Sequence, residues 1–276
     1  MQIYVLNILV ILEAVLLLVI SLLLFSKTKN ITKLKKYEEL FIEEQAKKHS
    51  EQGDFFPMVI HELRSPLSVI SGAADLLIKS TDELDAEQIH TLLTQIKTSS
   101  SGLLKLVGDI LDISKMEGGK FQINKTYGNI GDVLKEECGY FESLAKVKNV
   151  TLSCPIPDKT PNFSFDPDRV RQVMNNLLSN AIKFCSEKGK VVVNARKEDG
   201  SILVEVADDG VGIPDRDKPM IFHKFFQASN QTGVREKGTG LGLAICKGII
   251  EAHGGRIWME ENKPKGVKFI FLLPAK

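Results

Sequence analysis

Residues 3–25 constrain this chain more than any other stretch. Ile3 to Phe25 is almost entirely Ile, Leu and Val. As a helix it would extend about 34 Å, enough to cross the hydrocarbon core of a bilayer. A cleaved secretory leader would show a basic start, a shorter apolar run and a small-residue cleavage site, and none of these is visible. Lys27, Lys29, Lys33, Lys35 and Lys36 follow at once, whereas no lysine or arginine precedes the run. The positive-inside rule then predicts that everything after residue 26 lies in the cytoplasm. The expectation is a single-pass protein of the cell (plasma or inner) membrane, with residues 1–26 as its transmembrane helix. Glu13 sits inside that helix, where a carboxylate is costly. It is either a contact to a second protomer or partner helix, or a protonated and tolerated side chain.

A chain of 276 residues leaves room for two compact units beyond the span. The formal net charge of +1 gives no global reason to expect a nucleic-acid partner. Cys138, Cys154, Cys185 and Cys246 are far apart, without a CxxC pair or zinc spacing. They read as small buried residues of a reduced compartment. Residues 27–54 read as a charged cytoplasmic linker helix, with Ile31, Leu34, Tyr37 and Phe41 along one side, suited to pairing with a copy of itself. That stretch is too short for an independent sensory domain, and only a couple of residues precede the span.

Residues 55–118 read as a helical hairpin. Phe56, Val59, Ile60, Leu63, Leu67 and Ile70 recur at helical spacing. Asp85 with Gln88 forms a capping-box pattern that opens a second helix. There Ile89, Leu92, Ile96, Leu103, Val107, Ile110 and Ser114 follow a near-heptad stripe. Two amphipathic helices cannot bury their apolar faces alone, so two hairpins are expected to pair as a dimeric four-helix bundle. The alternative is a hairpin packed on the downstream domain of its own chain. The first helix carries His61-Glu62-Leu63-Arg64-Ser65-Pro66-Leu67. Pro66 removes a backbone donor and crowds the preceding turn, which predicts a bend just past His61 that presents the imidazole. Histidine is abundant in its neutral, nucleophilic form near pH 7. Taken alone, a His-Glu pair on a helix is usually a solvated face, and the weight of this one comes from the nucleotide-binding pattern that follows it.

Residues 119–276 alternate helices (130–147, 167–183, 241–253) with strands (121–125, 150–154, 163–165, 190–197, 201–207, 255–260, 267–273). This predicts an α/β sandwich with helices on one face of a mixed sheet. Pro214 to Lys237 is long, polar and aperiodic, as expected of a lid or binding loop. On the helix 167–183, Asn176, Asn180 and Lys183 share the polar side. Asparagine is a poor helix former, so two on one face need a reason. Amide oxygens can ligate Mg²⁺ while phosphates and water complete its shell, and a lysine one turn on would meet phosphate charge. A solvated polar face is the plain alternative.

Asp208-Asp209-Gly210-Val211-Gly212-Ile213 follows an alternating strand. Asp208 can accept a hydrogen bond from an exocyclic amine such as adenine N6, and Gly210 and Gly212 let backbone approach a flat ring. An ordinary Asp-Gly turn fits the hexapeptide too. Gly238-Thr239-Gly240-Leu241-Gly242-Leu243 opens the last helix, and glycine-rich backbone at a helix N-terminus suits phosphates. It matches neither GxGxxG nor a Walker A loop. In Ile221-Phe222-His223-Lys224-Phe225-Phe226, Lys224 is expected to add charge near a nucleotide and Phe225 and Phe226 to pack the lid down. His223 and His253 read as structural.

Taken in this order, the heptapeptide at 61–67, Asn-Leu-Leu-Ser-Asn-Ala-Ile-Lys-Phe (176–184), the Asp208 hexapeptide and the glycine-rich segment resemble the H, N, G1 and G2 boxes of bacterial sensor histidine kinases. Phe222 to Phe226 looks like the F box, and the resemblance covers about residues 54–275, through His253-Gly254-Gly255-Arg256-Ile257-Trp258. It implies a dimerisation and phosphotransfer hairpin joined to an ATP-binding domain of the gyrase/Hsp90/histidine-kinase/MutL type. By that resemblance Asp208 reads adenine, Asn180 with Asn176 holds Mg²⁺, and Lys183 with the glycine-rich helix start meets the phosphates. His61 would take the γ-phosphoryl group, with Glu62 as general base or orienter. The phosphoryl group would then pass to an aspartate on the receiver domain of a separate response regulator. Ser65 departs from the family's frequent threonine at a position tied to phosphatase action on the regulator, which leaves that action open. The absence of a sensory domain suggests a signal received through the membrane helix, Glu13 or the linker, from a partner such as a separate sensory membrane protein. A membrane scaffold or phosphatase that keeps the ATP site, and a chaperone- or topoisomerase-type ATPase, are the competing classes.

Overall fold

A computed structural model describes residues 57–79, 84–158, 160–229 and 238–275. The apolar run at 3–25, Glu13 and the linker 27–54 lie outside the described residues. No helix among the described residues is long and apolar enough to cross a membrane. The chain divides into two units, Met1–His61 and Glu62–Lys276.

The first helix, α1, covers residues 57–79 and runs unbroken through Pro66, so the missing donor neither ends nor divides it. The second, α2 (Ala86–Glu117), opens with the expected capping box. Asp85 Oδ1 accepts from the Gln88 N–H at 2.7 Å, and Gln88 Oε1 accepts from the Asp85 N–H at 3.0 Å. Of the near-heptad stripe, Ile89, Leu92, Ile96, Leu103 and Ile110 are half-buried, while Val107 and Ser114 are exposed. A different set, Leu106, Asp109, Asp112 and Ile113, is buried in the C-terminal half of α2.

Beyond α2 the order is β1 (Thr126–Asn129), α3 (Ile130–Val147), β2 (Thr151–Ser153), β3 (Asn162–Phe165), α4 (Pro167–Phe184), β4 (Lys190–Glu198), β5 (Ser201–Asp208), a 3₁₀ turn (Lys218–Met220), α5 (Gly242–Ala252), β6 (Arg256–Glu261) and β7 (Val267–Pro274). Five strands form one mixed sheet in the order β2-β4-β5-β7-β6, with β2 parallel to β4 and the other pairs antiparallel. Helix α4 packs against both α3 and α5; α4 and α5 also pack on the sheet, and α3 lies against its edge strand β2. Val170, Val173, Met174, Leu177 and Leu178 of α4 are fully buried, as are Ile245, Ile249 and Ile250 of α5. Each such side chain contributes about 1.5–3 kcal/mol by burial, so the layer carrying the polar face of α4 is firmly seated.

Two expectations need correction. The strand expected at 121–125 is absent; the strand is β1, which pairs with β3 in a separate two-stranded sheet. The pairing begins at Thr126 opposite Phe165, and the next residue, Asp166, already caps α4. Residues 121–125 therefore have no strand edge to join, and the Asn124 N–H bonds the Asp166 carboxylate at 2.7 Å instead. The cysteines do not all remain thiols: Cys138 and Cys154 are joined as a disulfide, with Cα atoms 6.6 Å apart. The turn after α3, with Asn149 at φ +55°, returns β2 alongside that helix and brings together two residues distant in sequence. Cys185 and Cys246 are free.

His253 has a structural place. Its Nε2 accepts from the Asp166 N–H at 3.0 Å, and its Nδ1 lies 2.8 Å from the Ile249 carbonyl, to which it donates. Burial holds its pKa below the ordinary imidazole value. The neutral ring thus fastens the start of α4 to the end of α5.

Candidate functional site

Asp208 ends β5 and is buried where the sheet meets α4. Its Oδ1 accepts from the Gly210 N–H at 2.8 Å and the Val267 N–H at 3.4 Å, which leaves Oδ2 for a ligand. Asn262 fixes the Asp208 carbonyl at 2.7 Å. Burial pushes the carboxyl pKa up to about 6, against the pull of the two N–H groups. The neighbouring Cys185 thiol donates to Asp209 Oδ1 at 3.0 Å, and burial followed by the Asp209 carboxylate pushes its pKa up to about 12, so it stays a donor.

Helix α4 starts at Asp166, whose side chain accepts from the Arg169 N–H, with Pro167 in the first turn. This seating turns Asn176, Asn180 and Lys183 toward a cavity of about 450 Å³. Asp208, Gly212, Gly238, Thr239, Gly240 and Gly242 line the same cavity. Asn176 is buried, and its Oδ1 accepts from Lys105 Nζ at 3.3 Å. No cluster of three or more His, Cys, Asp or Glu side chains able to hold a metal exists among the described residues. A metal here would have to be held by the amides of Asn176 and Asn180 together with the oxygens of a ligand, which suits Mg²⁺. At the start of α5, Leu241 offers no capping side chain, so backbone N–H groups of the first turn are open to an anion from Gly242 onward.

The glycine-rich segment is held by the chain around Phe225. Gly240 has φ +72°, and a Cβ there would lie 2.5 Å from the Phe225 carbonyl carbon. Gln227 Nε2 donates to the Gly238 carbonyl at 2.6 Å. The buried Asp217 carboxylate accepts from the Ser229 N–H and hydroxyl at 2.7 and 2.8 Å.

Three residues expected at the site do not line the cavity. Leu241 is fully buried, because at the N-cap of α5 its side chain turns into the core. Gly210 acts through its N–H on Asp208, and a Cβ there would strike the Phe184 carbonyl. Lys224 is drawn away by an ion pair with Glu117 of α2. His61 is exposed and Glu62 half-buried on α1. Conversely, Gly102, Lys105, Leu106 and Asp109 of α2 line the cavity and were not anticipated. Lys105 and Asp109 look like solvent positions in sequence; their only signal is the four-residue spacing that places both on one helix face.

Two family models match the chain. The His Kinase A (phospho-acceptor) domain covers residues 51–119, and the histidine kinase-, DNA gyrase B- and HSP90-like ATPase covers residues 165–276. The chain belongs to the sensor histidine kinases. It is 32% identical over 238 residues to sensor histidine kinase WalK of Bacillus subtilis, covering 85% of this chain and 38% of WalK. Among solved structures, histidine kinase ThkA in complex with the response regulator protein TrrA aligns with TM-score 0.62 and 28% identity, over 88% of this chain and 67% of that one. Full-length ShkA in complex with AMPPNP aligns with TM-score 0.59 and 29% identity, over 78% and 44%. The chain spans well under half the length of the curated relatives it matches.

Proposed function

We propose that this sensor histidine kinase binds ATP in the α4–α5 cavity, phosphorylates itself on His61 and passes the phosphoryl group to an aspartate of a response-regulator receiver domain. The observation that carries the reading is the convergence of Asp208, Asn176, Asn180, Lys183 and the open start of α5 on one cavity. Asp208 Oδ2 accepts from the adenine amine, and Lys183 and the α5 N–H groups meet the phosphates. Magnesium, when bound, is held by Asn180 and Asn176 and neutralises phosphate charge. The imidazole nitrogen of His61 forms a bond to the γ-phosphorus as the bond to ADP breaks, so the work of the protein is positioning and charge neutralisation. Glu62 serves as general base or orienter; as a sequence neighbour on a helix it does not face the His61 ring, so its action depends on a rearrangement. Nucleotide and regulator bound to ShkA and ThkA, respectively, support this reading.

The same reading places the working part on the cytoplasmic side of the membrane, anchored through residues 3–25. It makes the protein a homodimer, supported by the exposed Leu67, Leu76 and Ile78 of α1 and Leu93, Leu104 and Leu111 of α2. The test is incubation with γ-³²P-ATP, which should give acid-labile, base-stable label on the protein. ATP binding without label would overturn the kinase reading in favour of a scaffold or phosphatase.

A pH dependence follows from Asp208. Its native pKa of about 6 means that the carboxylate is present above pH 6 and protonated below it. The charged acceptor holds the adenine amine more strongly, by about 1 kcal/mol, so affinity should fall about threefold from pH 7 to pH 5, as the charged fraction drops from about nine-tenths to about one-tenth. Calorimetric titration checks this against Asp208→Asn, which shares the phosphate titration of the ligand but lacks the carboxyl step.

A further inference from the structure

Three ties fasten the chain after β2 along α3. Asn129, at the N-cap of α3, donates through Nδ2 to the Thr160 carbonyl at 3.0 Å. Further along the helix, Lys135 Nζ lies 2.7 Å from Asp158 Oδ1. Cys138 then bridges to Cys154, with Cα atoms 6.6 Å apart. Positions rise along α3 as 129, 135 and 138 while their partners fall as 160, 158 and 154, so this strap runs antiparallel to the helix. Lys135 and Cys138 are three apart and share one helix face. The two polar ties depend on no sulfur chemistry, and they hold the sulfurs within reach of each other when the bridge is open.

A cytoplasm keeps thiols reduced, and a disulfide found there is ordinarily transient, catalytic or redox-sensing. The two members are unequal: Cys138 is buried on α3, whereas Cys154 is half-buried. A small oxidant therefore meets Cys154 first. The bridged helix also walls the cavity. Leu144 and Lys148, at the C-terminal end of α3, line it. Glu137, beside Cys138, accepts from Asn175 Nδ2 of α4 at 2.6 Å, one residue before Asn176. Strand β2 has three residues and forms the edge of the sheet, so the bridge ties α3 down where the sheet offers it least.

We propose that Cys138 and Cys154 form a reversible oxidation site for peroxides, and that the bridged state stiffens the α3 wall of the cavity. The Cys154 thiolate sulfur attacks a peroxide oxygen and the O–O bond breaks. The departing hydroxide leaves as water with the proton that Cys154 gave up, and the cysteine becomes a sulfenic acid. The Cys138 sulfur then attacks that sulfur, the S–O bond breaks, and the hydroxyl leaves as water with the Cys138 proton. The two thiols lose two electrons and two protons, and hydrogen peroxide becomes two waters. A dithiol reverses the change by exchange and itself becomes the disulfide. The site rests on the cytoplasmic placement of this part of the chain, and its link to binding rests on the cavity being the nucleotide site.

The experiment uses the full chain in detergent, either reduced with dithiothreitol or treated with hydrogen peroxide. Alkylation and peptide mass mapping should find Cys138 and Cys154 free in the folded, reduced protein, joined after peroxide, and free again on renewed reduction. A bridge that dithiothreitol opens only in denaturant, or thiols that peroxide leaves apart, would overturn the site. Bridging closes a short loop, so the melting temperature should rise by about 5 °C. Amide exchange over 138–154 should slow, and calorimetry with Mg–AMPPNP should show about threefold tighter binding than in the reduced form. Cys154→Ser should lose all three responses to peroxide; should it not fold, the two redox states of the wild type decide by the same readouts. Equal affinity and exchange in the two states would overturn the link to the cavity. If neither state binds Mg–AMPPNP while the bridge still opens and closes, the nucleotide-site reading falls and the thiol site stands.

Discussion

Replacing His61 with glutamine is expected to reduce acid-labile phosphate incorporation from ATP to background, more than about a hundredfold below wild type. Glutamine keeps a polar side chain and good helix propensity at an exposed position of α1, so stability should change by no more than about 0.5 kcal/mol. It has no imidazole nitrogen to form a phosphoramidate. None of the groups lining the cavity is touched, so affinity for a non-hydrolysable ATP analogue should stay within about twofold. That pair of results separates acceptor from binding site. Persistent label would relocate the acceptor, and the other histidines bound the choice. Both ring nitrogens of His253 are engaged in the core, whereas His90 and His223 are exposed. A surviving signal would therefore point to His90, His223 or His49, and phosphopeptide mapping would distinguish them.

Much of this fold is legible because local chemistry and long-range packing agree. Asp166, Pro167 and the apolar spacing of α4 announce a capped amphipathic helix, and it forms from Pro167 to Phe184. Asp85 and Gln88 specify a capping box that depends on no distant partner. The alternating strands 190–198 and 201–208 need only each other across a turn at Asp199 and Gly200. Failures occur where the deciding partner is remote. Residues 121–125 have strand-like character but no edge to pair with, since Asp166 turns the opposing chain into α4. Cys138 and Cys154 meet because a turn folds β2 back on α3. The glycine-rich segment marks an anion site, yet nothing in it says that Leu241 faces the core.

The least legible part of the site is the contribution of α2. In sequence, Lys105, Asp109 and Asp112 are charged residues between the apolar positions of a near-heptad stripe, and such residues ordinarily face water. Here they form a second stripe toward α4, because Arg169 and Gln172 offer donors to Asp112 and Asn176 offers an acceptor to Lys105. Donor and acceptor are separated by dozens of residues, so no local pattern could pair them. The same remoteness hid the loss of Lys224 to Glu117.

Changing Gly240 to valine should weaken nucleotide binding about a hundredfold while the sheet and helices persist. Two costs combine. At φ +72° an L-residue pays about 1–2 kcal/mol of backbone strain, more when β-branched. A Cβ would also lie 2.5–2.8 Å from three backbone atoms of Phe225, which cannot turn aside as a side-chain tip can. Either Phe225 or the glycine-rich segment must move, and the start of α5 would lose its register with Asn176 and Lys183. The glycines on either side grade the effect. At Gly238 a Cβ would meet only Lys183 Nζ at 3.9 Å, so Gly238→Ala should bind nucleotide within about threefold of wild type. At Gly242 it would meet the Asn176 amide at 3.3 Å, so Gly242→Ala should fall between. Calorimetry on the three variants, with melting curves to confirm the fold, checks the order Gly238, Gly242, Gly240. Equal losses at Gly238 and Gly240 would show that bulk near the phosphates, rather than the passage of the Phe225 backbone, makes glycine necessary.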